Sequence, residues 1–237
     1  MRIQKVLAVA LAIGFGSVQA DVLTPTYDSF ANLSAAELAL INFGGTGLAN
    51  AGPVALSTFA SLATSPVSPT VYLAMSATPR VSGAFVGAAV GNDGAGTYFV
   101  QPGSSPAPGS NNAGWNFNYA IVGDTRGLTF QLFLDSNPGL ATDVPQSPGS
   151  ALLTAFAGSN QSTQGSQNLG FDSLGFHSFN PYAPGEYTFA LRAYSGATLV
   201  DQVAIRVAVV PEPATSAMAL AGLLVVAGVA NTRRRKR

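Results

Sequence analysis

The 237-residue chain contains no cysteine and a single histidine, His177. Disulfides are the usual staple of small exported domains, and Cys and His are the commonest zinc ligands. The sequence therefore predicts a fold without cross-links, no metal site and no cofactor. Charge is scarce too: only 9% of residues are Asp, Glu, Lys or Arg. Lysine is confined to Lys5 and Lys236. Between Asp21 and Val210 four arginines (Arg80, Arg126, Arg192, Arg206) oppose ten acids, a net charge of −6. Nucleic-acid binding needs a basic stripe to displace counterions from phosphates. That partner class is excluded.

Catalytic constellations are also missing. A Ser–His–acid triad would have to use His177, which stands in Gly175-Phe176-His177-Ser178-Phe179, and no serine sits in a G-x-S-x-G elbow. Acid pairs for glycoside hydrolysis would come from Asp124, Asp135, Asp143, Asp172 or Glu186. All stand at predicted strand ends or turns, where acids are ordinary residues. Asn92-Asp93-Gly94 and Asp135-Ser136-Asn137 offer oxygen donors suited to calcium, but turn chemistry accounts for both. The expectation is a protein that is not an enzyme.

What the chain does contain is short apolar alternation punctuated by 26 Gly and 15 Pro. Trp115–Val122 places Trp115, Phe117, Tyr119 and Ile121 on one face and Asn116 and Asn118 on the other. Leu128–Leu134, Glu186–Tyr194 and Leu199–Val209 repeat this period of two, the mark of half-buried antiparallel strands. Weaker candidates are Thr70–Ser76, Ala84–Val90 and Thr97–Gln101, the last two joined by the turn-rich Gly91–Gly96 as a hairpin. The prediction is an all-β, antiparallel β-sandwich of jelly-roll or Ig-like type over residues 21–209, less regular over 21–65. One short helix is expected there, because Ser34-Ala35-Ala36-Glu37 has capping-box spacing and Gly44-Gly45 follows. Pro102–Ala113, Asp135–Ser150 and Ser159–Gln167 read as loops by composition. Trp115 and Tyr119 share the predicted core face, so Tyr182, in the loop Asn180–Gly185, is the candidate sugar contact.

Both ends carry targeting signals. Met1–Ala20 has Arg2 and Lys5, an apolar stretch from Val6 to Phe15, and Val18-Gln19-Ala20 before Asp21, as in a cleaved signal peptide. At the other end, residues 210–237 divide into Val210-Pro211-Glu212-Pro213-Ala214-Thr215, an apolar run over 214–230, and Arg233-Arg234-Arg235-Lys236-Arg237. The run has 17 residues, the short end of the roughly 17–25 that span a bilayer. Cations directly after it resist translocation and form a stop-transfer signal. Pro211 and Pro213 fix φ and hold their neighbours extended, a stiff handle for a processing enzyme.

These three elements in this order resemble the PEP-CTERM family, whose tripartite tails are exosortase sorting signals. The strings Ala113–Phe117, Phe133–Gly139, Asn168–Phe171 and Pro181–Tyr187 are similar to the body of many PEP-CTERM cargo proteins. The resemblance implies export, a transmembrane helix at 214–230 that anchors the chain transiently in the inner membrane, and processing by exosortase. It also implies a Gram-negative bacterium that makes exopolysaccharide, and a final location on the outer surface or in the extracellular matrix. The expected function is a non-catalytic surface or matrix protein associated with exopolysaccharide in a biofilm. A carbohydrate-binding module is the alternative, and a secreted hydrolase a more distant one.

Overall fold

The computed structural model describes residues 24–43, 52–63, 70–82, 85–86, 88–104, 111–135, 150–159, 162–171, 174 and 179–211. The predicted signal peptide and the tail beyond Pro211 lie outside these residues, as does His177. In chain order the elements are β1 (Ser29–Ala31), α1 (Ala35–Leu38), β2 (Val54–Ala60), β3 (Thr70–Pro79), β4 (Val81–Ser82), β5 (Phe85–Val86) and β6 (Gly91–Asn92). They continue with β7 (Thr97–Val100), β8 (Trp115–Val122), β9 (Thr129–Asp135), β10 (Ser150–Ala157), β11 (Thr163–Gln167), β12 (Gly185–Ser195) and β13 (Thr198–Val209). One sheet has the order β1-β2-β3-β8-β11, the other β10-β9-β12-β13-β7-β6, and β4 and β5 form a small separate hairpin.

Alternation in the sequence becomes a shared core between the two sheets. From β3 and β8 come Val71, Leu73, Met75, Trp115, Phe117 and Tyr119; from β9, β12 and β13 come Phe130, Leu132, Phe189, Leu191, Val203 and Ile205. Phe117 stacks on Phe189 with ring centroids 4.4 Å apart, directly across the interface. Each such side chain stabilises the fold by about 1.5–3 kcal/mol on burial. The chain passes from β8 in one sheet to β9 in the other through Gly123, whose φ is +115°. A Cβ there would stand 2.5 Å from the Thr70 carbonyl oxygen, so only glycine fits this close approach.

The pairing is mixed rather than wholly antiparallel. β13 pairs antiparallel with β12 but parallel with β7, Arg206 opposite Thr97 and Val209 opposite Val100. Nearly a hundred residues separate β7 from β13, so no tight turn constrains their relative direction. The expected hairpin over Ala84–Gln101 is tighter than its composition suggests: β6 pairs with β7 around Asp93–Gly96, and β5 covers only Phe85–Val86.

Several strands lie where none was expected, β4 and β10 among them. β1 and β2 fall in the stretch expected to be irregular, and β11 falls in the expected loop Ser159–Gln167. The polar strand β11 is held by its ladder to β8, from Thr163–Ile121 to Gln167–Phe117. The expected helix is present but brief. Ser34 and Glu37 cap each other reciprocally at 3.3 and 2.7 Å.

The outer face of the first sheet, expected to be polar and solvated, is covered. Leu33, Ile41 and Phe43 pack on Leu56, Ala74, Ala120 and Val122 as a second cluster. The Gln164 amide on β11 fastens this cover, accepting from the N–H groups of Asn42 and Phe43 at 2.9 Å and donating to the Leu40 carbonyl at 2.8 Å. Phe43 turns through a positive φ of 54°, which costs a non-glycine residue about 1–2 kcal/mol. The amide clamp and the burial of its ring offset that strain.

Candidate functional site

β13 decides where the predicted tail begins. Its last residue, Val209, is 3% exposed and pairs with Gly185 of β12 on one side and Val100 of β7 on the other. The Val210 N–H still donates to the Val100 carbonyl at 2.9 Å. Only the Val210 side chain reaches solvent, at 43% exposure, and Pro211 beyond it is exposed. Of the predicted sorting residues these two are therefore placed. Glu212, Pro213, Ala214, Thr215 and Arg233–Arg237 lie outside the described residues.

The loops around this exit are tied to one another by backbone hydrogen bonds. Gly103 donates to the Pro181 carbonyl at 2.8 Å, Gly114 to Gly103 at 3.0 Å and Arg80 to Gly114 at 2.9 Å. Tyr182 stands on a turn that Asn180 closes through its side chain at 3.0 Å. Its ring is 61% exposed, and its hydroxyl lies 2.8 Å from Ser104 Oγ. Beside it a cleft of about 140 Å³ is lined by Val100, Pro102, Gly103, Ser104, Gly114 and Trp115. Neither acid nor base contributes to this lining. Arg80 nearby lays its guanidinium over the Phe171 ring at 5.1 Å, and burial lowers its pKa from the usual high value.

The aromatics of the core strands point inward. Trp115 packs edge-on against Phe189 at 6.2 Å and near Tyr187 at 5.9 Å, and Tyr119 meets Phe156 at 5.7 Å. All three named core aromatics, Trp115, Tyr119 and Tyr187, are buried. Burial pushes the Tyr119 phenol up.

The acids singled out by the sequence are scattered. Asp124 is buried and held by Arg126 in a two-pronged pair, Nε–Oδ1 at 2.9 Å and Nη2–Oδ2 at 2.6 Å. Glu186 faces Arg206 at 3.5 Å. Asp93 accepts from the N–H groups of Ala95 and Thr97 at 2.7 and 3.0 Å, closing its own turn. Burial pushes the Asp93 carboxyl up, but these bonds together outweigh it and hold the group below the ordinary carboxylate range. Asp143 and Asp172 lie outside the described residues, as does the side chain of Asp135. Among the described residues no three His, Cys, Asp or Glu side chains gather into a metal-sized group.

One acid pair escaped the sequence reading. The Ser57 hydroxyl donates to Asp201 Oδ2 at 2.8 Å and lies 3.4 Å from Asp28 Oδ2. Asp28 also accepts from the Thr58 N–H at 2.8 Å. These acids stand 173 positions apart in the numbering, and no spacing rule connects them. The fold joins them because Thr26, just before Asp28, bridges to Ala204 on β13.

The part of the chain that leaves this end is decisive. Residues 209–236 match the family model described as the PEP-CTERM protein-sorting motif. The chain carries a PEP-CTERM sorting signal. No curated protein and no solved structure matches the chain. The PEP-CTERM motif marks an exported protein directed to exosortase and to a surface or extracellular destination. Its match begins at Val209, a core residue, so the PEP-CTERM signal is continuous with the last strand of the fold.

Proposed function

We propose that the chain is an exported, non-catalytic protein of the cell surface or extracellular matrix, associated with exopolysaccharide in the biofilm of a Gram-negative bacterium. In this reading Met1–Ala20 is a signal peptide that takes residues 21–209 across the inner membrane. Ala214–Ala230 then holds the protein there transiently, with Arg233–Arg237 on the cytoplasmic side, until exosortase removes the tail. The observation that carries the reading is a sorting motif growing without a linker from a buried core strand. Three of the acids singled out in the sequence are engaged by other groups and do not face one another. Asp124 is engaged by Arg126, Asp93 by its own turn and Glu186 by Arg206, and the cleft near the exit has no carboxylate lining.

Intact-mass analysis of the mature protein tests the proposal, comparing ordinary host cells with cells lacking exosortase. The tail is expected to be missing in the first and present in the second. A chain that keeps Pro211–Arg237 in both would overturn it.

A carbohydrate-binding module is the second reading, and the exposure of Tyr182 beside the cleft favours it. An exposed ring offers a face on which a sugar's apolar side stacks. Retention of the protein on the host's polysaccharide should then fall with Tyr182→Ala, and unchanged retention ends that reading. A secreted hydrolase, the more distant reading, would need two acids facing each other across a groove.

A further inference from the structure

The tail-exit end of the fold is held close to whatever the tail enters. Val210 hangs on Val100 by one hydrogen bond and the Tyr182 turn hangs on Gly103 by another, through Pro181. Val100 to Gly103 spans at most about 10 Å of chain. From Pro211 to Ala214, where the apolar run starts, is again three residues and at most about 10 Å. If Ala214–Ala230 occupies a bilayer, Tyr182 and its loop lie at the level of the headgroups.

We propose that this end of the domain, with Tyr182 at its tip, seats on the phospholipid headgroup layer while the chain is tethered. The inference rests on reading Ala214–Ala230 as a membrane segment, and it assigns the orientation of the domain before processing. The described loops at this end present no charge of their own to the headgroup layer. The body carries a net charge of −6, and headgroup phosphates repel acids within about a Debye length, roughly 8–10 Å. Yet the described residues of the nearby loops, 101–104, 111–114 and 179–185, include no acid and no base. The charges around them are Glu186, which faces Arg206, Arg80, whose N–H donates to the Gly114 carbonyl, and Asp135 at the end of β9, with Glu212 following in the tail. The opposite end carries Asp124 and Arg126 in the β8–β9 connection. Tyrosine is also suited to the boundary, with an apolar ring for the acyl side and a hydroxyl for the wet side. That hydroxyl lies 2.8 Å from Ser104 Oγ.

The absence of native cysteine makes the test direct. Full-length Tyr182→Cys and Leu62→Cys variants are labelled with an environment-sensitive fluorophore and reconstituted in phosphatidylethanolamine–phosphatidylglycerol vesicles. Leu62 is the control, because it is 51% exposed and follows β2 at the far end, where Ser61 bonds the Asp124 carbonyl. The label at 182 should shift to the blue and be quenched by headgroup-level nitroxide lipid, while the label at 62 should do neither. Protein that floats with the vesicles while both labels respond, or neither does, overturns the orientation and leaves the membrane segment standing. Protein that does not float removes the membrane segment and the inference with it. A response at 182 only when exosortase shares the vesicle identifies a protein contact and rejects the lipid seat.

Discussion

Asn168 is fully buried and links its own turn to the start of β8 at the tail-exit end. Its carbonyl oxygen accepts from Ala113 at 2.9 Å and from Gly170 at 3.0 Å, and its amide donates to the carbonyls of Ala113 and Trp115 at 3.0 and 2.7 Å. Most buried amides in proteins are satisfied in this way. Asp93 is a polar residue of the opposite kind, exposed and working through its charge. Its carboxyl is lowered in the folded state, so it contributes stability above the unfolded value of about 4. That contribution is lost as pH falls through the lower folded value. The difference in thermal midpoint between the native protein and Asp93→Asn should be greatest near neutrality and shrink toward pH 3. Calorimetry across that range checks it, and a constant difference would show that the charge plays no part. Glu37, lowered by its side-chain and backbone bonds with Ser34, shifts in the same direction.

At the scale of elements, legibility followed periodicity. β8, β9, β12 and β13 alternate apolar and polar residues, and the structure places them within one residue of the expected bounds. Thr163–Gln167 holds no apolar side chain at all, so nothing local marks it as β11. Its strand character comes from the β8 edge to which it bonds. Leu199 shows the reverse failure: it continues the alternation of β13 yet is exposed, because the ladder slips between Ala193 and Tyr194 beside the hairpin turn. The cover over the first sheet depends on Gln164 in a similar non-local way. Gln164→Ala would remove the bonds to the Asn42 and Phe43 amides and the Leu40 carbonyl, at a net cost of about 0.5–1.5 kcal/mol, because Asn42 and Leu40 are exposed to water. The expected result is a lower denaturation midpoint with unchanged m, and faster hydrogen exchange at Asn42 and Phe43. Unaltered exchange at both amides would show that Leu33, Ile41 and Phe43 hold the cover by packing alone.

For the whole molecule, the decisive feature is that the sorting signal begins inside the fold. Cutting on the N-terminal side of Val209 would remove a residue that bridges β12 and β7, so the mature chain in the mass experiment should retain Val209. The chemistry of destination was readable residue by residue: prolines that stiffen, an apolar run, a cluster of cations, and a body poor in charge and without Lys. Such signals act through composition and order along the chain, and they need no partner from elsewhere in it. Tertiary structure alone decided which side chains meet. It put Asp28 and Asp201 around Ser57, closed the outer face of one sheet with residues 33–43, set β13 parallel to β7, and brought Tyr182 to the end from which the tail leaves. Those contacts join residues tens to more than a hundred positions apart, and their geometry is set by register and packing rather than by any local spacing.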